Sequence, residues 1–361
     1  MKTLNTKTKL ASALVLVLGL SACNLELSVD GETVAQINVT KTGVITQLDD
    51  TMVVNDTSYD TQSASVVADG VDTDSSALKE GMVVSVSGTE SSDGSSFAQQ
   101  ITYENEVEGV VSDSLLDSNG VGTMTVLGQT VKLDEKTVFD SDDLNDRSVT
   151  DIETGNIVEV SGYADGDGSI YATRVEVKQQ NYIDGNELEL KGKVTNLTDS
   201  SFSIGDQSID YSSASLNSDS SSTLKDGQYV KVSSYESLDD NGNLIAHELE
   251  IKRDGELSVS HKSDDDEVEI KGAVTAELNN GAFEINGAVI KLSANLSQQL
   301  MTSFGLGSIV EAEGYIDDNG QFIATEVKLE NDSDSSSDSS FDDDEDDDDN
   351  ESESDDDEND D

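Results

Sequence analysis

Few residues in this chain are of a type that does chemistry alone. Cys23 is the single cysteine, and His247 and His261 are the two histidines. That set is too small for most zinc sites, and no disulfide can close within the chain. Carboxylates are abundant instead, 77 Asp and Glu against 20 Lys and Arg, so no one pair stands out. The best-spaced set lies in Ser237–Glu248, where Asp239, Asn241 and Glu248 take places 3, 5 and 12 of a calcium loop and Gly242 takes place 6. Place 1 is Ser237 rather than Asp, and the flanking residues alternate like strands, so a hairpin turn accounts for the same residues better. Tyr163, Tyr235 and Tyr315 recur just before hairpins, either as rings for a sugar polymer or as packing at a rim, and packing is the preferred reading. No nucleophile elbow, phosphate loop or His-carboxylate constellation is found. The expectation is a protein that is not an enzyme, has no cofactor, and could take calcium only weakly.

The elements that would position these residues repeat. The phrase Gly81-Met82-Val83-Val84-Ser85-Val86-Ser87-Gly88 returns at Gly155–Gly162, Gly227–Ser234 and Gly307–Gly314, with a period of 74, 72 and 80 residues. Behind each phrase stands Asp93-Gly94, Asp167-Gly168, Asn241-Gly242 or Asn319-Gly320, suited to the positive φ of tight hairpins. Alternation then predicts a strand with Phe97, Ile101 and Tyr103 on one face, and with Tyr171, Val175 and Val177 in the next copy. The opposite face carries Arg174, Glu176, Glu248, Glu250, Glu326 and Lys328. One side reads as core and the other as wet. Each copy opens at Gly43, Gly109, Gly192 or Gly272 and continues with two short strands, which makes five strands per copy. The variable segment before the fourth strand reads in the last copy, Ser297 to Phe304, as one or two helical turns.

Strands 1 to 3, a variable segment, then strands 4 and 5 is the order of an OB barrel, whose closure also hides strand edges. The fold class expected is all-β, with four tandem small five-stranded OB-like β-barrel domains at residues 41–105, 106–180, 187–253 and 267–330. The opening Gly-x-Val, the middle Gly-x-x-Val-x-Val-x-Gly and the closing Asp-Gly hairpin together resemble the bacterial family called domain of unknown function 5666, over about residues 41 to 330. That family brings no catalytic residues to carry over. Ser234 replaces the expected glycine in copy 3, a change read as harmless to the fold. Copies 1 and 2 abut with almost no linker, whereas Arg253 to Glu267 predicts a looser joint between copies 3 and 4.

The two ends differ from the repeats. Lys2, Lys7 and Lys9 precede the apolar run Leu10 to Leu20, which at 1.5 Å per residue covers about 16 Å, roughly half the hydrocarbon core. This is the order of a signal peptide over residues 1–22. Leu20-Ser21-Ala22-Cys23 resembles the lipobox of bacterial lipoproteins, which implies cleavage before Cys23 and lipidation of its thiol. Residues 23–40 would then be the lipidated N-terminus and a coil spacer lifting the first domain by roughly 20 to 25 Å. Asn24, where Asp would favour the inner membrane, favours the outer membrane of the cell envelope. Removal of residues 1–22 leaves 17 basic against 77 acidic residues, a net charge of −60. Such a surface repels nucleic acid and favours cations. In residues 331–361, 19 of 31 residues are acidic with no Lys or Arg, so a disordered tail is expected. The function expected is a non-catalytic, membrane-anchored envelope scaffold or binding protein. Its alternatives are a calcium-responsive protein binding divalent cations through the tail or the turns, and a module binding an envelope protein or polysaccharide.

Overall fold

The computed structural model describes residues 27–29, 32–140, 149–165, 168–217, 223–252, 266–278, 281–285, 288–293, 296, 304–317 and 319–330. Cys23, the apolar leader, the acidic tail, His261 and residues 297–303 of the expected helical turns lie outside them. Among the described residues there is no α-helix. Two 3-10 turns, Ser75–Ala77 and Val149–Asp151, interrupt a chain that is otherwise strands and turns. The protein is all-β and holds four tandem domains.

Domain 4 has the simplest plan, with strands Glu267–Leu278, Ala282–Ile285, Ala288–Leu292, Ile309–Ile316 and Phe322–Leu329. The first strand pairs with the second and the second with the third, both antiparallel. The third runs parallel to the fifth, the fifth pairs with the fourth, and the fourth returns to the first. Pairing order is therefore 1-2-3-5-4 and back to 1. Domain 2 follows the same order with Val107–Leu116, Gly122–Val126, Gln129–Leu133, Ile157–Ala164 and Ser169–Gln179. In domain 1 the third-to-fifth link shrinks to a bridge between Asp60 and Phe97, and in domain 3 the first-to-second link shrinks to one between Thr195 and Ser203. Period-two alternation turns one side of each strand inward, so that Tyr59, Phe202, Phe283 and Phe322 are fully buried. Each such side chain contributes about 2 kcal/mol relative to an exposed position.

Several expectations change here. The five-strand count is too low, because the variable segment of domains 1 to 3 carries a further short strand, Ser65–Ala68, Val138–Asp140 or Ser215–Asn217, parallel to the fifth strand. The coil spacer is not one: Leu27–Val29 pairs with Glu32–Val34, and the first strand of domain 1 already begins at Gln36. On this strand Val39 is buried, and the Asn38 amide donates to Asp266 at 3.0 Å.

The single inward face predicted for Phe97, Ile101 and Tyr103 is also split. Between Ser87 and Gly88 the register slips by one residue, so Ala98 joins Ile101 and Tyr103 inside while Phe97 turns out, 43 % exposed. The same slip occurs before Gly162 and Gly314. At these glycines an added Cβ would stand 2.1, 2.2 and 2.0 Å from the carbonyl oxygens of Phe97, Tyr171 and Ile323, so only glycine admits the bulge. Domain 3 has Ser234 there and forms no such bulge. Its fifth strand instead breaks at Ala246 and His247 into Leu244–Ile245 and Glu248–Ile251. Domain 3 keeps its pairing order with Ser234 in the glycine's place, as expected.

The domains are stacked side by side. The first strand of domain 2 pairs antiparallel with that of domain 3, Leu188–Lys193, and the first strand of domain 4 pairs parallel with that of domain 1 over Glu267–Ile270 and Val39–Thr42. The apolar cores of domains 2 and 3 run together into one cluster, while domains 1 and 4 keep separate cores.

Candidate functional site

In the calcium-loop stretch, Asp239 is engaged by its own turn. Asp239 Oδ1 accepts the backbone N–H groups of Asn241 and Asn243 at 2.8 Å each, and Oδ2 accepts the Asn243 amide at 2.9 Å. Those bonds, from Asn243 above all, hold its carboxyl below the usual carboxylate range. Glu248 is exposed on the fifth strand opposite Ser233. Asp317 repeats the device, accepting from the backbone of Asn319 and Gln321 at 2.9 Å each. The loop is a hairpin turn closed by its aspartate. Among the described residues, no group of three or more His, Cys, Asp or Glu is placed to hold a metal ion.

The three recurring tyrosines have three different surroundings. Tyr163 is 4 % exposed, with a buried hydroxyl that has no hydrogen-bond partner. Burial and the nearby Glu330 and Glu311 of domain 4 push that phenol up. Tyr315 is half-buried, and Tyr235 is the exposed one, its ring edge-on to His247 with centroids 5.7 Å apart. His247 Nε2 lies 3.6 Å from Glu236 Oε1 at the surface. No common aromatic face is shared by the copies.

Charge gathers instead where domains meet, on strand faces expected to be wet. Arg174, Glu159, Glu189, Lys191 and Lys231 are all buried. Lys41 of domain 1 reaches Glu90 at 3.1 Å and, in domain 4, Glu269 at 3.3 Å. Burial alone would lower this ammonium, but Glu269, Glu90 and Glu267 hold it above its ordinary value. Lys191 of domain 3 sits 3.5 Å from Glu106 and 3.7 Å from Glu104, both on the approach to domain 2. Lys191 and Lys252 hold Glu104 down to about 2 against the effect of its burial. Lys193 joins Glu284 of domain 4 at 2.7 Å, so the joint expected to be loose is tied by an ion pair. Arg174 pairs with Asp140 and donates to the Glu80 carbonyl of domain 1 at 3.2 Å.

One row of this junction is acidic across three strands. In register, Glu108 on the first strand of domain 2 stands opposite Glu159 on one side and Glu189 of domain 3 on the other. Residues directly opposite have Cβ atoms about 4.5–5.5 Å apart, and like charges there repel. Lys178 meets Glu159 at 2.9 Å, Lys231 meets Glu189 at 2.7 Å, and Tyr103 of domain 1 donates to Glu159 at 2.6 Å. Glu108 has no ion pair of its own among the described residues. Burial, then Glu159, pushes its carboxyl up to about 8, and burial pushes Glu189 to about 7 despite Lys231. The arrangement can hold a proton and bind domains together. None of these residues was singled out from the sequence. The signal available was acid and base recurring at alternate strand positions, which is also the pattern of a solvated face.

The family model described as Domain of unknown function (DUF5666) matches residues 42–102, 108–176, 191–250 and 271–328. No curated protein matches the chain. Each matched stretch carries one copy of the repeated strand set, and the four together cover more than half of the sequence. The chain belongs to the family of this domain of unknown function, with four copies in one polypeptide.

Proposed function

We propose that this protein is a non-catalytic scaffold of the bacterial cell envelope, anchored through a lipid on Cys23 and built of four OB-like barrels. The barrel reading is supported by the 1-2-3-5-4-1 pairing order in domains 2 and 4. The observation that carries the scaffold reading is where the charge of the strand faces goes. Lys41, Arg174, Lys191 and Lys193 join one domain to another, and the strand faces that a chain of independent binding modules would present are used to hold four domains in one block. The outer membrane is the favoured location, from Asn24 after the lipobox-like cysteine. Polysaccharide binding keeps one candidate, the exposed Tyr235 beside His247.

Two measurements test this reading. Expressed with its leader in a Gram-negative host, the wild type should take up labelled acyl chains and sediment with membranes, and Cys23→Ser should do neither. Acylation of Cys23→Ser would reject the anchor. For the scaffold, thermal unfolding of the mature chain should show no rise selective for calcium over magnesium and sodium, since an ion bound only by the folded state raises the melting temperature. A calcium-selective rise that survives removal of residues 331–361 would replace the scaffold with a calcium-responsive protein whose ion sits among the β domains.

A further inference from the structure

We propose that the row Glu159, Glu108 and Glu189 is a proton-held joint, in which one shared proton keeps domains 1, 2 and 3 packed and its release in mild alkali loosens them. Three observations carry the proposal. Register places the three carboxylates side by side on adjacent strands of two domains. Glu189 Oε1 is buried without a hydrogen-bond partner, while Oε2 is taken by Lys231 at 2.7 Å. Domain 1 closes over the row with Asp69, Tyr103 and Asn105, adding a further carboxylate whose Oδ1 is occupied by the Asn105 backbone and amide.

The groups facing Glu108 from every packed element are Glu159 on the fourth strand, Lys178 on the fifth, Glu189 on domain 3 and Asp69 on domain 1. Lys191 and Lys231 lie beyond Glu189 and serve Glu106 and Glu189. Of these cations Lys178 acts most on Glu108, and Lys178 is bonded to Glu159 and Glu176. A carboxyl O–H on Glu108 gives a neighbouring carboxylate oxygen a donor and removes one negative charge from the row. Its loss sends a proton to solvent and leaves a half-buried anion between the buried carboxylates of Glu159 and Glu189, which costs more than the same ionisation in an unfolded chain.

A carboxyl easier to protonate folded than unfolded makes the native state bind more protons. Its stabilisation is complete below the ordinary glutamate range and is lost as pH climbs to the folded value near 8. Ordinary carboxylates have finished titrating by about pH 6, and lysines have not begun at about pH 9. With His247 and His261 replaced by Gln, the groups left that can titrate in the window are this row and the other carboxyls that burial raises, Asp69, Glu106 and Glu269, so the row's share is read from the difference between wild type and Glu108→Gln. The mature chain should lose about 3 to 6 °C of melting temperature from pH 6 to pH 9. Glu108→Gln should lose less than half of that, and the exposed control Glu248→Gln should follow the wild type. In the unmutated chain, the infrared band of protonated carboxyl should persist at pH 6.5 and vanish by pH 9, a reading that needs no variant to fold. Equal pH slopes for wild type and Glu108→Gln, or no protonated carboxyl band at pH 6.5, would overturn the proposal.

Discussion

Lys191 shows at the scale of one residue why the buried charges are not interchangeable. It stands opposite Lys231 across the sheet of domain 3, so two like charges would repel if each did not have an acid to one side. Lys231 turns to Glu189, and Lys191 turns out of its own domain to Glu106 and Glu104. Tyr229 adds a hydroxyl bond to Glu106 at 3.3 Å. Removing the Lys191 ammonium would take from Glu106, itself 7 % exposed and already pushed up by burial, the cation that favours its ionised form. Lys191→Met should therefore cost about 3–5 kcal/mol in urea unfolding at pH 8, the usual penalty for breaking a buried pair from one side. Adding Glu106→Gln should return at least about 1 kcal/mol, because the orphaned charge is gone. A single variant as stable as the wild type would mean that water reaches this lysine and that the junction is not dry.

At the scale of the element, the repeated glycine phrase was legible and its consequence was not. Asp-Gly and Asn-Gly hairpins follow from local chemistry, and Gly94, Gly168, Gly242 and Gly320 do adopt positive φ. Gly88, Gly162 and Gly314 act differently, since each lets a neighbouring carbonyl oxygen sit where a Cβ would be. That contact reverses which residues of the fifth strand face the core, so reading alternation straight through from Tyr103 back to Phe97 assigns Phe97 wrongly. Nothing within one strand announces the slip, since it depends on the partner's register. Ser234 serves as a natural control, being fully buried beside a fifth strand that is broken rather than bulged. Gly162→Ser should accordingly break the fifth strand of domain 2 near Ala172, at a cost of about 1–3 kcal/mol. Hydrogen exchange should accelerate at Ala172 and Thr173 while the amides of domain 4 keep their protection. Unchanged exchange at both positions would show that the strand can bulge around a side chain.

The whole molecule is where sequence reading stopped short. Four copies and their pairing order could be argued from repeats and turns, because both are encoded within a copy. Which copies touch could not, because the strand face that joins domains carries Glu159, Arg174, Glu189 and Lys231, and alternate charged residues read as solvated. The parallel pairing of domain 1 with domain 4 links residues more than 200 positions apart, Val39 with Glu267, and no local signal marks it. Its effect on shape can be measured. A compact unit of about 290 residues has a radius of gyration of about 19 Å, whereas four domains of about 70 residues strung end to end would give about 33 Å. Small-angle scattering on residues 36–330 should return the smaller value at pH 6 in moderate salt. Lys41→Met together with Asn55→Ala removes two of the contacts to Glu269 that fasten domain 4 to domain 1. That pair of changes should raise the radius while leaving the far-ultraviolet circular dichroism of the strands unchanged. A wild-type radius near the larger value would mean that the first strands do not hold the domains side by side in solution, and the scaffold would be a flexible string.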